Sequence, residues 1–87
     1  MFEIQSKSPS GKFWCTDNRF EHLQQAIQWL FIFKNAGEPK RLVHCFSRNL
    51  HQETAIITWD GTSWNIEYNE LYPDTTLRNY EKSEKFP

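Results

Sequence analysis

Five side chains in this sequence could ligate a metal ion or work as a nucleophile and its base: Cys15, His22, His44, Cys45 and His51. A zinc site usually shows its ligands at short spacings such as C-x-x-C or H-x-x-x-H, because one turn or one helix face must present two of them together. None of the five stands at such a spacing. His44 and Cys45 are adjacent in a segment that reads as a strand, where successive side chains point to opposite faces, so this pair cannot share an ion. His22 falls on the polar side of a helix. The pattern predicts scattered structural or surface histidines, no metal and no other cofactor. A Cys–His pair could meet between neighbouring strands, but no third orienting group or oxyanion-hole pattern accompanies it.

Other reaction signatures are also missing. The glycines Gly11, Gly37 and Gly61 lie far apart, so no loop is built to cradle phosphate. No paired carboxylates stand on a rigid scaffold, and Asp60, next to Gly61, reads as a turn residue. These readings predict a protein that is not an enzyme.

Charge offers two further candidates. Net charge is −1, so no global field draws the chain to nucleic acid or membrane. Lys34, Lys40, Arg41 and Arg48 nevertheless bracket one segment, with His44 between them. With an aromatic such as Trp14 they could contact phosphates and stack a base. Against this, nucleic-acid affinity rests on a surplus of positive contacts, and four cations also describe a solvated rim. Residues 49–77 carry only acids: Glu53, Asp60, Glu67, Glu70 and Asp74. Facing outward, they could meet an Arg-rich partner, with charge setting encounter rate and partner choice. The alternative is simple solubility.

These residues must be positioned by a small scaffold. Eighty-seven residues make one domain of marginal stability with little surface to spare for a deep cleft. Seven Phe, four Trp and three Tyr suit that size, since each aromatic buries roughly 150–250 Å². Some of them could instead anchor an interface. The N-terminus alternates as Phe2-Glu3-Ile4-Gln5 rather than running apolar, and no stretch reaches a membrane span. This predicts a cytoplasmic protein in a reducing compartment. Cys15 and Cys45 are then expected to be free, buried, small hydrophobes, with a disulfide as the alternative.

Residues 2–6 alternate and predict a strand. Ser8-Pro9-Ser10-Gly11 is turn chemistry, and 12–16 returns as a hairpin strand. Asn18 as cap, with Glu21 three residues on, predicts a helix over about 19–35. Phe20, Leu23, Ala26, Ile27, Leu30 and Phe31 form its stripe. Lys34, Gly37 as a left-handed cap and Pro39 beyond it are the stop signals. Strands follow at 41–48, 53–59 and 64–68, the last two joined through Asp60-Gly61. The expected fold is α+β in the order ββαβββ: about five antiparallel strands packed against one main helix. Residues 1–69 form the single domain. Residues 70–87 are an extension, docked, weakly helical or partly disordered, with Leu71, Tyr72, Leu77, Tyr80 and Phe86 as its sparse apolar residues.

One feature of the helix does not suit a lone amphipathic element. At about 100° per residue the stripe centres on Leu23, Ile27 and Leu30, and Trp29 is expected roughly opposite. Ile32 falls on the wet face and Phe33 at the margin. Residues 29–33 are thus apolar nearly all round and need a second cover. The extension could fold over them, two copies could pair helix to helix as a homodimer, or a partner protein could dock.

The layout of residues 1–69 resembles many tiny ββαβββ proteins, including some phage-encoded inhibitors of bacterial immune complexes. The resemblance concerns size, element order and absence of a catalytic site, and involves no diagnostic motif. It implies a non-enzymatic protein-binding module, an inhibitor of phage or mobile-element type such as an anti-CRISPR, that occupies a surface of a larger protein or nucleoprotein complex. The expected contact residues are Trp29, Ile32 and Phe33, or Arg41, Arg48, Glu53 and Glu67. The alternatives are a nucleic-acid-binding protein using Lys34, Lys40, Arg41 and Arg48, and a homodimeric accessory protein. No membrane partner is expected.

Overall fold

A computed structural model describes residues 1–71 and 77–78. The chain forms β1 (Phe2–Lys7), β2 (Trp14–Phe20), α1 (Leu23–Ile32), β3 (Pro39–Cys45), β4 (His51–Trp59) and β5 (Trp64–Tyr68). The strands make one antiparallel sheet in the order β2-β1-β3-β4-β5. The fold is therefore α+β, with the helix packed on one sheet face. The first strand lies between β2 and β3 because the chain leaves β2, crosses the sheet as α1 and returns on the other side of β1. Among the described residues no helix is long and apolar enough to cross a membrane.

Alternation in β1 sorts the two faces. Phe2 and Ile4 turn toward the helix and join Leu23, Ala26, Ile27, Leu30, Leu42, Ala55 and Ile57 in the core. The helical members recur at the spacing of one face. Trp64, Ile66 and Tyr68 of β5 pack against the same core, while Asn65 and Glu67 are exposed, as alternation predicts.

The helix is shorter than its cap signals imply. It starts at Leu23, with His22 as N-cap and the Gln25 side chain accepting from the His22 N–H at 3.2 Å. Asn18, Arg19 and Phe20 belong to β2 instead, paired with Ile4, Glu3 and Phe2. A whole ladder of backbone hydrogen bonds to β1 outweighs a cap worth about 1 kcal/mol. At the other end Phe33 is the C-cap. Gly37 is not the helix cap: its φ of 78° serves the link in which its N–H donates to the Trp59 carbonyl at 2.7 Å. The strand at 41–48 also shifts, to Pro39–Cys45.

Trp29 is not opposite the stripe. It lies about 60° around the helix from Ala26, and its large ring reaches Phe20 at 6.2 Å and Phe33 at 4.9 Å. It is half-buried against the core. Cys15 is exposed rather than buried; Cys45 is half-buried, and both are free thiols.

Of the extension, Leu77 is fully buried in the core and Arg78 stacks on Tyr68 at 3.8 Å. Leu71 is exposed. Tyr72, Tyr80 and Phe86 lie outside the described residues. Leu77→Ala should cost about 2–5 kcal/mol, as for other buried leucines. Leu71→Ala should change stability by less than about 0.5 kcal/mol. Urea unfolding midpoints of the two variants check the contrast.

Candidate functional site

The sheet face away from the helix is polar, and its most deeply buried charged residue is Glu3. Alternation turns Glu3 and Gln5 of β1 to this side, and the strands on both flanks close over them. Glu3 is 2% exposed, although it carries a carboxylate. A buried charge persists only if it is paired and hydrogen-bonded. Oε1 accepts from Thr16 Oγ1 at 2.7 Å and from Gln5 Nε2 at 3.2 Å. Oε2 accepts from the Cys45 thiol at 3.3 Å and pairs with the Arg19 guanidinium at 3.2 Å. His51 Nδ1 stands 3.9 Å from the same oxygen.

Two β-bulges assemble this set. The β1–β2 register steps between Ile4 and Gln5, so Asp17 is the extra residue and Arg19 and Thr16 both reach Glu3. The β3–β4 register steps between Leu42 and Val43, so Thr54 is the extra residue. Ala55 and Ile57 can then face the core while His51 and Glu53 face the open side. An extra residue shifts the alternation by one and re-aims the side chains beyond it.

The network continues along the face. Gln5 Oε1 accepts from Arg41 Nε at 2.8 Å. Arg41 also pairs with Glu53 at 3.6 Å and lies over the Trp14 ring at 5.0 Å. Beyond Glu3 the surface opens into a cleft of about 340 Å³, lined by Met1, Arg19, Cys45, Ser47, Arg48 and His51 with Glu3 as its floor. That volume is at the small end of ligand cavities.

The titration behaviour of the floor limits its chemistry. Burial pushes the Glu3 carboxyl upward, but the hydrogen bonds from Thr16, Cys45 and Gln5 and the charge of Arg19 outweigh it, and the net shift is below the ordinary value. Burial, followed by the bond and charge of Glu3, raises the Cys45 thiol to about 11. At neutral pH the thiol is protonated and gives its hydrogen to a carboxylate. This state is unsuited to nucleophilic attack, which requires the thiolate.

The expected scatter of cysteines and histidines does not hold for one pair, the Cys–His meeting between neighbouring strands that the sequence also allowed. Cys45 and His51 are directly opposite in the β3–β4 register, and with Glu3 their ligand atoms all lie within 4.8 Å of one another. His44, as expected, points the other way and stacks on Phe2 at 4.5 Å. Nothing in local spacing marks Glu3; its only signal is an acid at a position where β1 would bury one face against flanking strands.

The expected basic patch does not assemble. Lys40 is buried, donating to Ser6 Oγ at 2.6 Å and pairing with Glu38 at 2.9 Å and Asp17 at 3.4 Å. Its bond to Glu38 is the main reason that carboxyl is held below its ordinary value. Arg41 is held by Gln5 and Glu53. Lys34 sits at the helix end, over Phe31 at 3.7 Å and Trp59 at 4.8 Å. Arg48 is exposed at the cleft, beyond the opposite end of β3, a strand about 20 Å long. Glu67 is exposed on the open side of β5, opposite Ile56. Ile32 and Phe33 are exposed on the helix side. The sequence-expected contact residues thus fall on two surfaces, the open face with its cleft and the end of α1.

No family model, curated protein or solved structure matches the chain.

The two thiols should differ in alkylation. Iodoacetamide at pH 8 should modify exposed Cys15 at once and Cys45 much more slowly, and the Cys45 rate should climb as pH rises toward 11. Glu3→Gln, which removes the acceptor charge, should speed Cys45 at pH 8. Peptide mass mapping over time reads both rates; equal rates at the two thiols would contradict the assignment.

Proposed function

We propose that the chain is a non-enzymatic protein-binding module whose contact surface is the C-terminal end of α1. The observation that carries this reading is that Phe31, Ile32 and Phe33 are 44%, 71% and 54% exposed in succession. Single exposed apolar residues are ordinary on any protein. Three large ones in a row at the end of a short helix, whose other apolar residues are buried or half-buried, form a patch of the kind that marks an interaction site. Trp29 supports the patch from below, against Phe33.

The occupant in this reading is a partner protein with an apolar pocket and an acidic margin. The margin complements Lys34, whose ammonium lies beside the patch and is held there by the Phe31 carbonyl at 3.2 Å and by two aromatic rings. The finer version is an inhibitor of phage or mobile-element type, anti-CRISPR included, that covers a surface of a larger protein or nucleoprotein complex. Its support is the small ββαβββ layout and the protonated thiol of the open face, which is no nucleophile at neutral pH. The nucleic-acid alternative loses support because Lys40 and Arg41 are engaged within the fold and Lys34 and Arg48 lie far apart.

The test compares wild-type and Ile32→Glu baits in nuclease-treated host lysate. The expected result is a stoichiometric protein partner retained by wild type and weakened at least about tenfold by the substitution, the scale of a lost interface anchor. Stability should change by less than about 0.5 kcal/mol, because Ile32 packs on little. Identical retention by both baits, or retention that vanishes with nuclease, overturns the reading. A dimer in sedimentation that Ile32→Glu dissolves would assign the patch to a second copy instead.

A further inference from the structure

We propose that Glu3, Cys45 and His51 form a binding site for one divalent metal ion of the zinc type, with its remaining coordination position facing the cleft. This site is independent of the docking surface on α1 and lies on the other side of the sheet.

The donor set is the first argument. A thiol, an imidazole and a carboxylate are the three ligand types that Zn²⁺ takes from proteins, whereas Mg²⁺ and Ca²⁺ prefer oxygen alone. Geometry is the second. Two ligands bonded at about 2.0–2.3 Å in a tetrahedron stand roughly 3.3–3.8 Å apart. Cys45 Sγ is 3.3 Å from Glu3 Oε2, and His51 Nδ1 is 3.9 Å from it. All three ligand atoms lie within 4.8 Å of one another, so side-chain adjustments of a few tenths of an ångström to about 1 Å close the site.

The third argument is the outer shell. Metal-binding carboxylates are oriented by hydrogen bonds to the oxygen that does not ligate. Here Thr16 and Gln5 both donate to Oε1, which leaves Oε2 as the oxygen turned toward Cys45 and His51. The ligands come from β1, β3 and β4, adjacent strands whose backbone pairing fixes their spacing before any ion arrives. Such preorganisation lowers the cost of binding.

Arg19 is the competitor, since its guanidinium already pairs with Oε2. Its side chain is 61% exposed, so it can turn to water as the ion takes its place. Cys45 gives up its proton on binding: the S–H bond breaks, the sulfur lone pair forms the bond to the metal, and the proton passes to solvent buffer. His51 ligates through a deprotonated Nδ1, with its hydrogen on Nε2. The fourth position opens into the cleft between Arg19 and Arg48, where water or a small anionic ligand can complete the tetrahedron.

Cobalt(II) alone is the probe, added to protein first stripped with chelator. The expected result is one equivalent bound, with a near-ultraviolet sulfur-to-cobalt charge-transfer band that Zn²⁺ bleaches. The band should vanish in Cys45→Ser and persist in Cys15→Ser. His51→Ala should weaken Zn²⁺ at least tenfold by calorimetry, and Thr16→Val roughly tenfold or more through the outer shell. Absence of the band in the wild type, its survival in Cys45→Ser, or unchanged Zn²⁺ affinity in His51→Ala each overturns the proposal. If Cys45→Ser fails to fold by circular dichroism, His51→Ala decides alone, because that side chain is 39% exposed and outside the core.

Discussion

A buried carboxylate on an inner strand of the sheet constrains much of this molecule. Glu3 lies near the start of the first strand and is almost wholly removed from water. An isolated charge there would cost many kilocalories, so the fold must bring partners to it. β2 supplies Thr16 and Arg19, β3 supplies Cys45, and β4 brings His51. The pairing of Glu3 thereby links the register of four neighbouring strands. A slip of one residue would turn these partners to the helix side and leave the charge stranded. The polar face therefore acts against misregistered sheets, while the apolar face under α1 supplies most of the burial. A second buried charge, Lys40, does the same near the other end of β3, where Ser6, Asp17 and Glu38 converge on it.

Local chemistry was legible in the sequence wherever the answer was local. The turn at Asp60-Gly61 is one case. The Asp60 carboxylate accepts from the Thr62 and Ser63 N–H groups at 2.7 Å, and Gly61 takes a φ of 102°. The strand at 64–68 has the predicted bounds and faces because simple alternation governs it. The ββαβββ order and the single sheet followed from such signals. The helix start did not, because Asn18 and Glu21 make a good cap only if β1 does not claim the backbone of residues 18–20.

The site was legible in its parts and not as a whole. Cys45 and His51 stand six positions apart, which matches no local metal or catalytic spacing, and Glu3 lies more than forty positions from either. Alternation alone would place His51 and Glu53 with Ala55 and Ile57, under the helix. The extra residue at Thr54 reverses that, as the one at Asp17 lets Thr16 and Arg19 share a face despite their opposite parity. Bulges leave little mark in composition. The same register moved Lys40 and Arg41 out of an apparent basic patch and into internal pairs. Trp29 departs from its expected place through angle and size together, since a ring on the flank of a helix can reach a sheet edge that a smaller residue would miss.

The two surfaces differ in what they can offer a partner. The polar face is largely satisfied from within: Arg41 is shared between Gln5 and Glu53, and Glu3 accepts on both oxygens. A partner covering those groups would desolvate them without giving them new bonds, so their contribution to affinity would be small or negative. The cleft at the end of that face is different, because its floor holds three ligand atoms of different chemistry and its rim holds two guanidinium groups. It suits a small, charged occupant. The end of α1 offers the reverse: apolar side chains with water still to lose and few polar groups to satisfy. Burial there at roughly 25 cal/mol per Å² favours a broad, apolar partner surface. The sheet separates the two, so the proposed ion site and the proposed docking surface share no residue.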